Sequence, residues 1–172
     1  AGLRLEHNNI FGNELIPQFG VSYSVKENLT FRTNISKGFR SPTIRELYLF
    51  PAPTPGLKPE RMWSLEAGLQ YNFKDVFSFE PVFYYEEGSN IIQTEGMFPN
   101  LKLSNSGSFI VRGMELSLGL KPAKGLEIDL SASYIEPGKL TQSNPQRKLF
   151  AEVKYQYRIF GVTASLDYTE KL

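Results

Sequence analysis

Leu126-Glu-Ile-Asp-Leu-Ser-Ala-Ser-Tyr134 alternates apolar and polar side chains without a break. In an extended chain, Leu126, Ile128, Leu130, Ala132 and Tyr134 fall on one face, and Glu127, Asp129, Ser131 and Ser133 on the other. No helix separates these two sets, so the stretch reads as a strand between an apolar and a polar surroundings. The segments on either side repeat the pattern. Upstream, across the turn at Pro122 to Gly125, Met114, Leu116, Leu118 and Leu120 oppose Glu115, Ser117 and Gly119. Downstream, after a turn-rich loop over residues 136–145, Leu149, Ala151, Val153, Tyr155, Tyr157 and Ile159 oppose Glu152, Lys154, Gln156 and Arg158. A turn at Phe160-Gly161 then leads to a ninth strand with Val162, Ala164, Leu166 and Tyr168 on its apolar side.

Read toward the N-terminus, the same period of two gives five more strands. The first covers Gly2 to Asn8, and a loop follows from Asn9 to Glu14. The second runs near Leu15 to Val25, and Lys26-Glu27-Asn28 turns it into the third, Leu29 to Arg40. The fourth re-enters at Trp63 and carries Leu65, Ala67, Leu69, Tyr71 and Phe73 on one face. Lys74-Asp75 turns it into the fifth, with Phe77, Phe79, Pro81, Phe83 and Tyr85 aligned. A second long loop is expected over residues 86–106, where Gly88, Asn90, Gly96, Pro99, Asn100 and Asn105 crowd together. Between strands three and four lies the stretch around which the chain is organised, GFRSPTIRELYLFPAPTPGLKPE from Gly38 to Glu60. Its prolines at positions 42, 51, 53, 55 and 59 lack the N–H a central ladder needs, so it reads as a fixed, turn-rich loop.

Two regularities decide the fold class. Long and short connections alternate, which in an antiparallel sheet puts tight turns at one end and loops at the other. Several strands reach or exceed the roughly 9–11 residues of a tilted bilayer span, and aromatics such as Tyr23, Phe73, Phe77 and Tyr157 sit near turns. The expected architecture is all-β: about nine strands of an antiparallel, up-and-down transmembrane β-barrel, forming part of a larger barrel. A soluble sandwich also alternates, but its strands are shorter and its loops do not sort by length.

Composition narrows the function. The 172 residues carry 19 Lys+Arg against 18 Asp+Glu, so no basic footprint suggests nucleic acid. There is no cysteine and one histidine, His7, which excludes disulfides, thiolate metal sites and multi-histidine metal sites. No apolar run reaches the roughly 20 residues of a transmembrane helix. No leader pattern precedes Ala1, and the chain is expected to be a piece of a longer protein.

Three patches resemble the TonB-dependent outer-membrane receptors of Gram-negative bacteria. Phe39-Arg40-Ser41-Pro42 followed by Glu46-Leu47-Tyr48 resembles that family's entry into an extracellular loop. Pro55-Gly56-Leu57-Lys58-Pro59-Glu60 resembles its N-P-x-L-K-P-E motif, with Thr54 where Asn is usual. Asn105-Ser106-Gly107 followed by Gly113-Met114-Glu115 resembles its N-x-G…G-x-E strand. The resemblance implies a barrel of about 22 strands with a plugged lumen. This chain, residues 1–172, is then the C-terminal portion of the barrel, without plug domain, TonB box or closing strand. It further implies an active transporter, not an enzyme, that imports a scarce nutrient, most often a ferric siderophore, with energy from TonB through the plug. Outer-membrane lipid is the implied surrounding and no cofactor is implied.

The chemistry at the loop end follows from residue types. Arg40, Arg45 and Tyr48, with Phe98 in the second loop, are candidates to grip an anionic aromatic ligand at the extracellular mouth. Phe39, Pro42, Glu46, Leu47, Leu57, Lys58, Pro59, Glu60, Asn105, Gly107, Gly113 and Glu115 are expected to serve structure. Glu127, Asp129 and Glu152 read as lumen residues, and Glu86-Glu87 as a solvated loop margin, because neighbours on a strand face opposite ways. A passive porin-like or small structural barrel, an outer-membrane hydrolase using His7, and a soluble β-sheet binding module are the competing classes.

Overall fold

The computed structural model describes residues 1–49, 51–138 and 145–170. Nine strands form one antiparallel sheet in sequence order, each paired with the next: β1 (Gly2–Asn8), β2 (Gly12–Lys26), β3 (Leu29–Arg40), β4 (Glu60–Phe73), β5 (Phe77–Glu95), β6 (Lys102–Ala123), β7 (Leu126–Glu136), β8 (Arg147–Tyr157) and β9 (Phe160–Thr169). One short helix, α1 (Ile44–Tyr48), lies between β3 and β4.

Register confirms the two faces. Phe31 pairs with Leu69, Phe83 with Met114, Leu118 with Leu130 and Leu130 with Ala151, so the apolar sets share one side of the sheet. Arg32–Gly68–Val82–Glu115–Ser133–Lys148 runs across the other. Leu65, Phe83, Met114, Leu130, Leu149, Val153 and Leu166 are all exposed, as a belt facing hydrocarbon requires. Above it stand Trp63 and Tyr134, below it Tyr23, Phe73 and Tyr157, all exposed, at the two levels where amphipathic rings anchor a barrel.

The sheet accommodates its internal prolines by leaving gaps in one ladder. Pro17 pairs with Leu3 in β1, whereas the β2–β3 ladder begins only at Gln18↔Ser36. In the opening, the Lys37 ammonium donates to the Leu15 carbonyl (3.0 Å). The same amine and Arg61 hold Glu14, a buried carboxylate at 3 % exposure. Around Pro81 the β4–β5 register skips from Gly68↔Val82 to Tyr71↔Phe79, which places the missing N–H where no partner waits.

Three expectations change. The second long loop, expected over residues 86–106, is mostly strand: β5 continues to Glu95, β6 begins at Lys102, and only residues 96–101 connect them. Register shifts at Gly88/Ile91 and Ile91/Gln93, with Asn90 at φ 57°, break the period of two and disguise the strand as loop. The first loop shortens to residues 9–11, so the alternation of long and short connections starts only after β2. The last turn falls at Arg158-Ile159, not Phe160-Gly161, because Arg158 takes the left-handed conformation (φ 53°) and Phe160 already pairs with Tyr157. The organising loop also contains α1, whose start is a capping box: Thr43 accepts from the Glu46 N–H while Glu46 accepts from the Thr43 N–H. Of the loop after β7, residues 139–144 lie outside the described residues.

Candidate functional site

Because an isolated wall has no interior, buried side chains mark where local structure was built deliberately. Leu47, Leu57 and Leu103 are buried, with Ile92 packed against them. Pro59 is buried as well, as are Pro42 and Gly107. All belong to the loop end: residues 41–49, which include α1, and residues 51–59 fold down onto the β5–β6 hairpin where it projects beyond its neighbours.

Polar contacts lock this small core. Arg40, at the top of β3, donates to Glu60 across the strand pair (2.6 Å) and to both oxygens of Glu46 (3.1 Å each). Glu60 also accepts from the Ile92 N–H (2.8 Å), which ties β4 to β5 beyond their regular ladder. Glu46 in turn holds Thr43 by its N–H and hydroxyl. Burial pushes the Glu46 carboxyl up, but the Arg40 hydrogen bonds and the two Thr43 donations outweigh it and hold it below the ordinary glutamate value. Asn105 forms the second clasp. Its Oδ1 accepts from the Lys58 N–H (2.7 Å), and its Nδ2 donates to the carbonyls of Lys58 (2.9 Å) and Asn90 (2.7 Å). A side-chain amide offers one carbonyl acceptor and two N–H donors, which matches the one acceptance and two donations made here, whereas a hydroxyl has a single hydrogen to give.

The expected site residues therefore separate. Arg40, Glu46 and Glu60 form one ion network; Leu47 and Leu57 form the core; Lys58 and Asn105 meet through the Lys58 backbone. Arg40 thus braces the loop with two carboxylates. Arg45 and Tyr48 lie on exposed positions of α1, and Phe98 is 88 % exposed at the β5–β6 tip. Phe39 sits half-buried in β3 opposite Arg61. Gly107 leaves room for Ile91, whose Cβ lies 2.8 Å from where a side chain would begin.

Gly113 and Glu115 stand lower, on the polar face. Tyr84 pairs with Gly113, and its ring lies over the space a Cβ would fill. Glu115 and Glu86 lie close enough to the Tyr84 hydroxyl to act on it electrostatically, and Glu66 is its register partner in β4. Arg32 reaches Glu80 (4.0 Å), and Lys154 reaches Glu152 (2.5 Å) and Asp129 (3.6 Å). Glu66, Glu86 and Glu115 have no ion-pair partner among the described residues. Sequence reasoning singled out the Leu101–Leu103 region as a second loop contact, and Leu103 does join the loop-end cluster; it missed the parts played by Tyr84, Ile92 and Asn90, of which only the Tyr84–Gly113 pairing had a sequence signal, once register is known. Among the described residues no group of three His, Asp or Glu is placed to hold a metal ion.

The chain matches the family "TonB dependent receptor-like, beta-barrel" over residues 1–171. It belongs to the TonB-dependent receptor β-barrel family. A vitamin B12 transporter of Photobacterium profundum is 25% identical over 144 residues, covering 79% of this chain and 23% of that protein. Among solved structures, the ferric enterobactin receptor of Pseudomonas aeruginosa superposes with a TM-score of 0.84 at 19% identity, over 97% of this chain and 29% of that one. The siderophore receptor PirA of the same organism gives 0.80 at 18%, over 98% and 36%. This chain thus spans about a quarter to a third of the length of these relatives. The family consists of outer-membrane receptors of Gram-negative bacteria, not enzymes.

Proposed function

We propose that this chain is the C-terminal barrel wall and part of the binding mouth of an outer-membrane importer energised through TonB, whose cargo is a ferric siderophore. The supporting observation is the loop-end latch: a transporter needs its mouth held in a defined shape, and Arg40, Glu46, Glu60 and Asn105 hold the β3–β4 loop on the β5–β6 hairpin. On this fixed scaffold Arg45, Tyr48 and Phe98 face the cargo, and Arg40 positions α1 beneath them. Glu66, Glu86 and Glu115 on the polar face, which have no ion-pair partner among the described residues, would meet basic side chains of a plug domain in the lumen, through which TonB acts. Cargo release then requires the plug to move while the wall stays.

Uptake of a labelled ferric siderophore by cells carrying the full-length protein tests this directly. Import that stops with an uncoupler, and in cells lacking TonB, is the expected result. Import that persists under both conditions would mean a passive porin. A corrinoid cargo is the second reading, favoured by the sequence similarity to a vitamin B12 transporter; labelled cyanocobalamin in the same assay separates the two.

A further inference from the structure

The apolar face does not end evenly at its loop side. Following its register upward, Phe83 pairs with Met114 and Met114 with Tyr134, and Tyr134 pairs with Arg147. One step higher, Tyr85 pairs with Arg112 and Arg112 with Glu136. Two arginines therefore occupy the hydrocarbon-facing side of the sheet at its upper margin, with tyrosines between and beside them. The Arg112 guanidinium lies over the Tyr85 ring, 5.9 Å from its centroid. Its cross-strand neighbour Glu136 makes no ion pair with it within 4 Å, and Glu87 instead accepts from the Tyr85 hydroxyl (3.3 Å). Arg147 touches Glu170 only at the 4.0 Å limit and its side chain remains 65 % exposed.

A charge on the lipid side of a barrel is costly at the midplane and tolerable only near the interface, where a headgroup can meet it. Tyrosines at this level mark that interface. Guanidinium groups bind phosphate through paired hydrogen bonds, and stacking on an aromatic ring orients them without neutralising them. Aspartate or glutamate bonded at short range would neutralise them; among the described residues Arg112 has no ion-pair partner and Arg147 has only Glu170, at 4.0 Å. We infer that Arg112 and Arg147, framed by Tyr85 and Tyr134, form a docking site for the phosphorylated headgroup of an anionic lipid in the outer leaflet. Glu136 and Glu87 border it and set a like-charge limit on how deeply the headgroup enters. The site lies on the outside of the wall and is independent of cargo.

Native mass spectrometry of the full-length receptor, stripped of lipid and titrated with phosphatidic acid or phosphatidylcholine, tests the site. A preference of roughly 30-fold for phosphatidic acid is expected from two interfacial arginines at about 1 kcal/mol each. R112Q/R147Q should abolish the preference, with heat-modifiable gel mobility unchanged, and R147K should retain part of it. Glu136→Gln should leave the preference intact or raise it. Millimolar inorganic phosphate should not displace the lipid, because the acyl chains anchor it in the belt. The inference is overturned if R147Q and the double variant keep the full preference, if phosphate alone displaces the lipid, or if Glu136→Gln abolishes binding. Should the double variant fail to fold, the exposed R147Q decides the matter alone.

Discussion

Replacing Asn105 with alanine removes three hydrogen bonds, to the Lys58 N–H, the Lys58 carbonyl and the Asn90 carbonyl. At roughly 0.5–1.5 kcal/mol net for each, and with partial access of water to the freed groups, the clasp contributes about 2–3 kcal/mol. That energy holds the loop to the hairpin rather than one strand to another, since β5 and β6 retain their ladder on both sides of Asn105. The change therefore raises the local opening of residues 41–59 without unfolding the wall. At about 1.4 kcal/mol per decade, amide exchange in the loop should accelerate roughly 30- to 150-fold. The reporting amides are those of Thr54, bonded to the Leu47 carbonyl, and Leu57, bonded to that of Thr54. Asn105→Asp keeps the acceptor but sets a carboxylate oxygen against two carbonyls, so it should be at least as disruptive. Hydrogen exchange read by mass spectrometry on the full-length protein in nanodiscs provides the measurement. Unchanged exchange over 41–59, or equal acceleration in the β3 and β4 ladders, would refute the clasp.

Three further outcomes follow from the same contacts. Leu47→Ala, at a site 2 % exposed, should cost about 2–3 kcal/mol, the low end for a buried leucine because the surrounding cluster is small, and should be visible as proteolysis within 41–59. The Glu46 carboxyl is depressed in the folded state, so its contribution is complete above the ordinary value of 4.5 and is lost as pH falls through the lower folded value; loop exchange should quicken in that acidic window, and Glu46→Gln should shrink the step, leaving the part carried by Glu60, which Arg40 and the Ile92 N–H also depress. Gly113→Ala drives a Cβ into the Tyr84 ring and should cost roughly 1–3 kcal/mol in thermal or denaturant melting, with a changed near-ultraviolet tyrosine signal; adding Tyr84→Ala should recover part of the loss.

The sheet was legible where physics imposes a period of two. Strands β3, β4, β7 and β8 each separate water from hydrocarbon, so every second side chain is constrained and the pattern survives in the sequence. It failed at residues 86–106, where the β5–β6 hairpin runs past the ladders of its neighbours β4 and β7. There bulges at Gly88, Asn90 and Ile91 shift the register. The site was readable only as far as local chemistry allows. Thr43 and Glu46 spell a capping box three residues apart, whereas the contacts of Arg40 with Glu60, Glu60 with Ile92 and Asn105 with Lys58 span distant positions. Residue type therefore suggested Arg40 as a ligand grip, while tertiary geometry surrounds it with two carboxylates. Glu14, buried between Lys37 and Arg61, had no sequence signal, since its environment arises from a ladder opened by Pro17.

In this structure's reading as a barrel wall, one face of the sheet meets hydrocarbon and the other a lumen. Two adjacent positions in β7 test it most directly: single spin-labelled cysteines at Leu130 and Asp129, in the full-length protein reconstituted in a bilayer with other cysteines removed. The label at Leu130 should be accessible to oxygen and shielded from a water-soluble nickel chelate, with the reverse at Asp129 where the lumen is wet, or protection from both where a plug covers it. A label at Leu130 that the aqueous chelate reaches freely would contradict the barrel wall, and with it the transporter built on it.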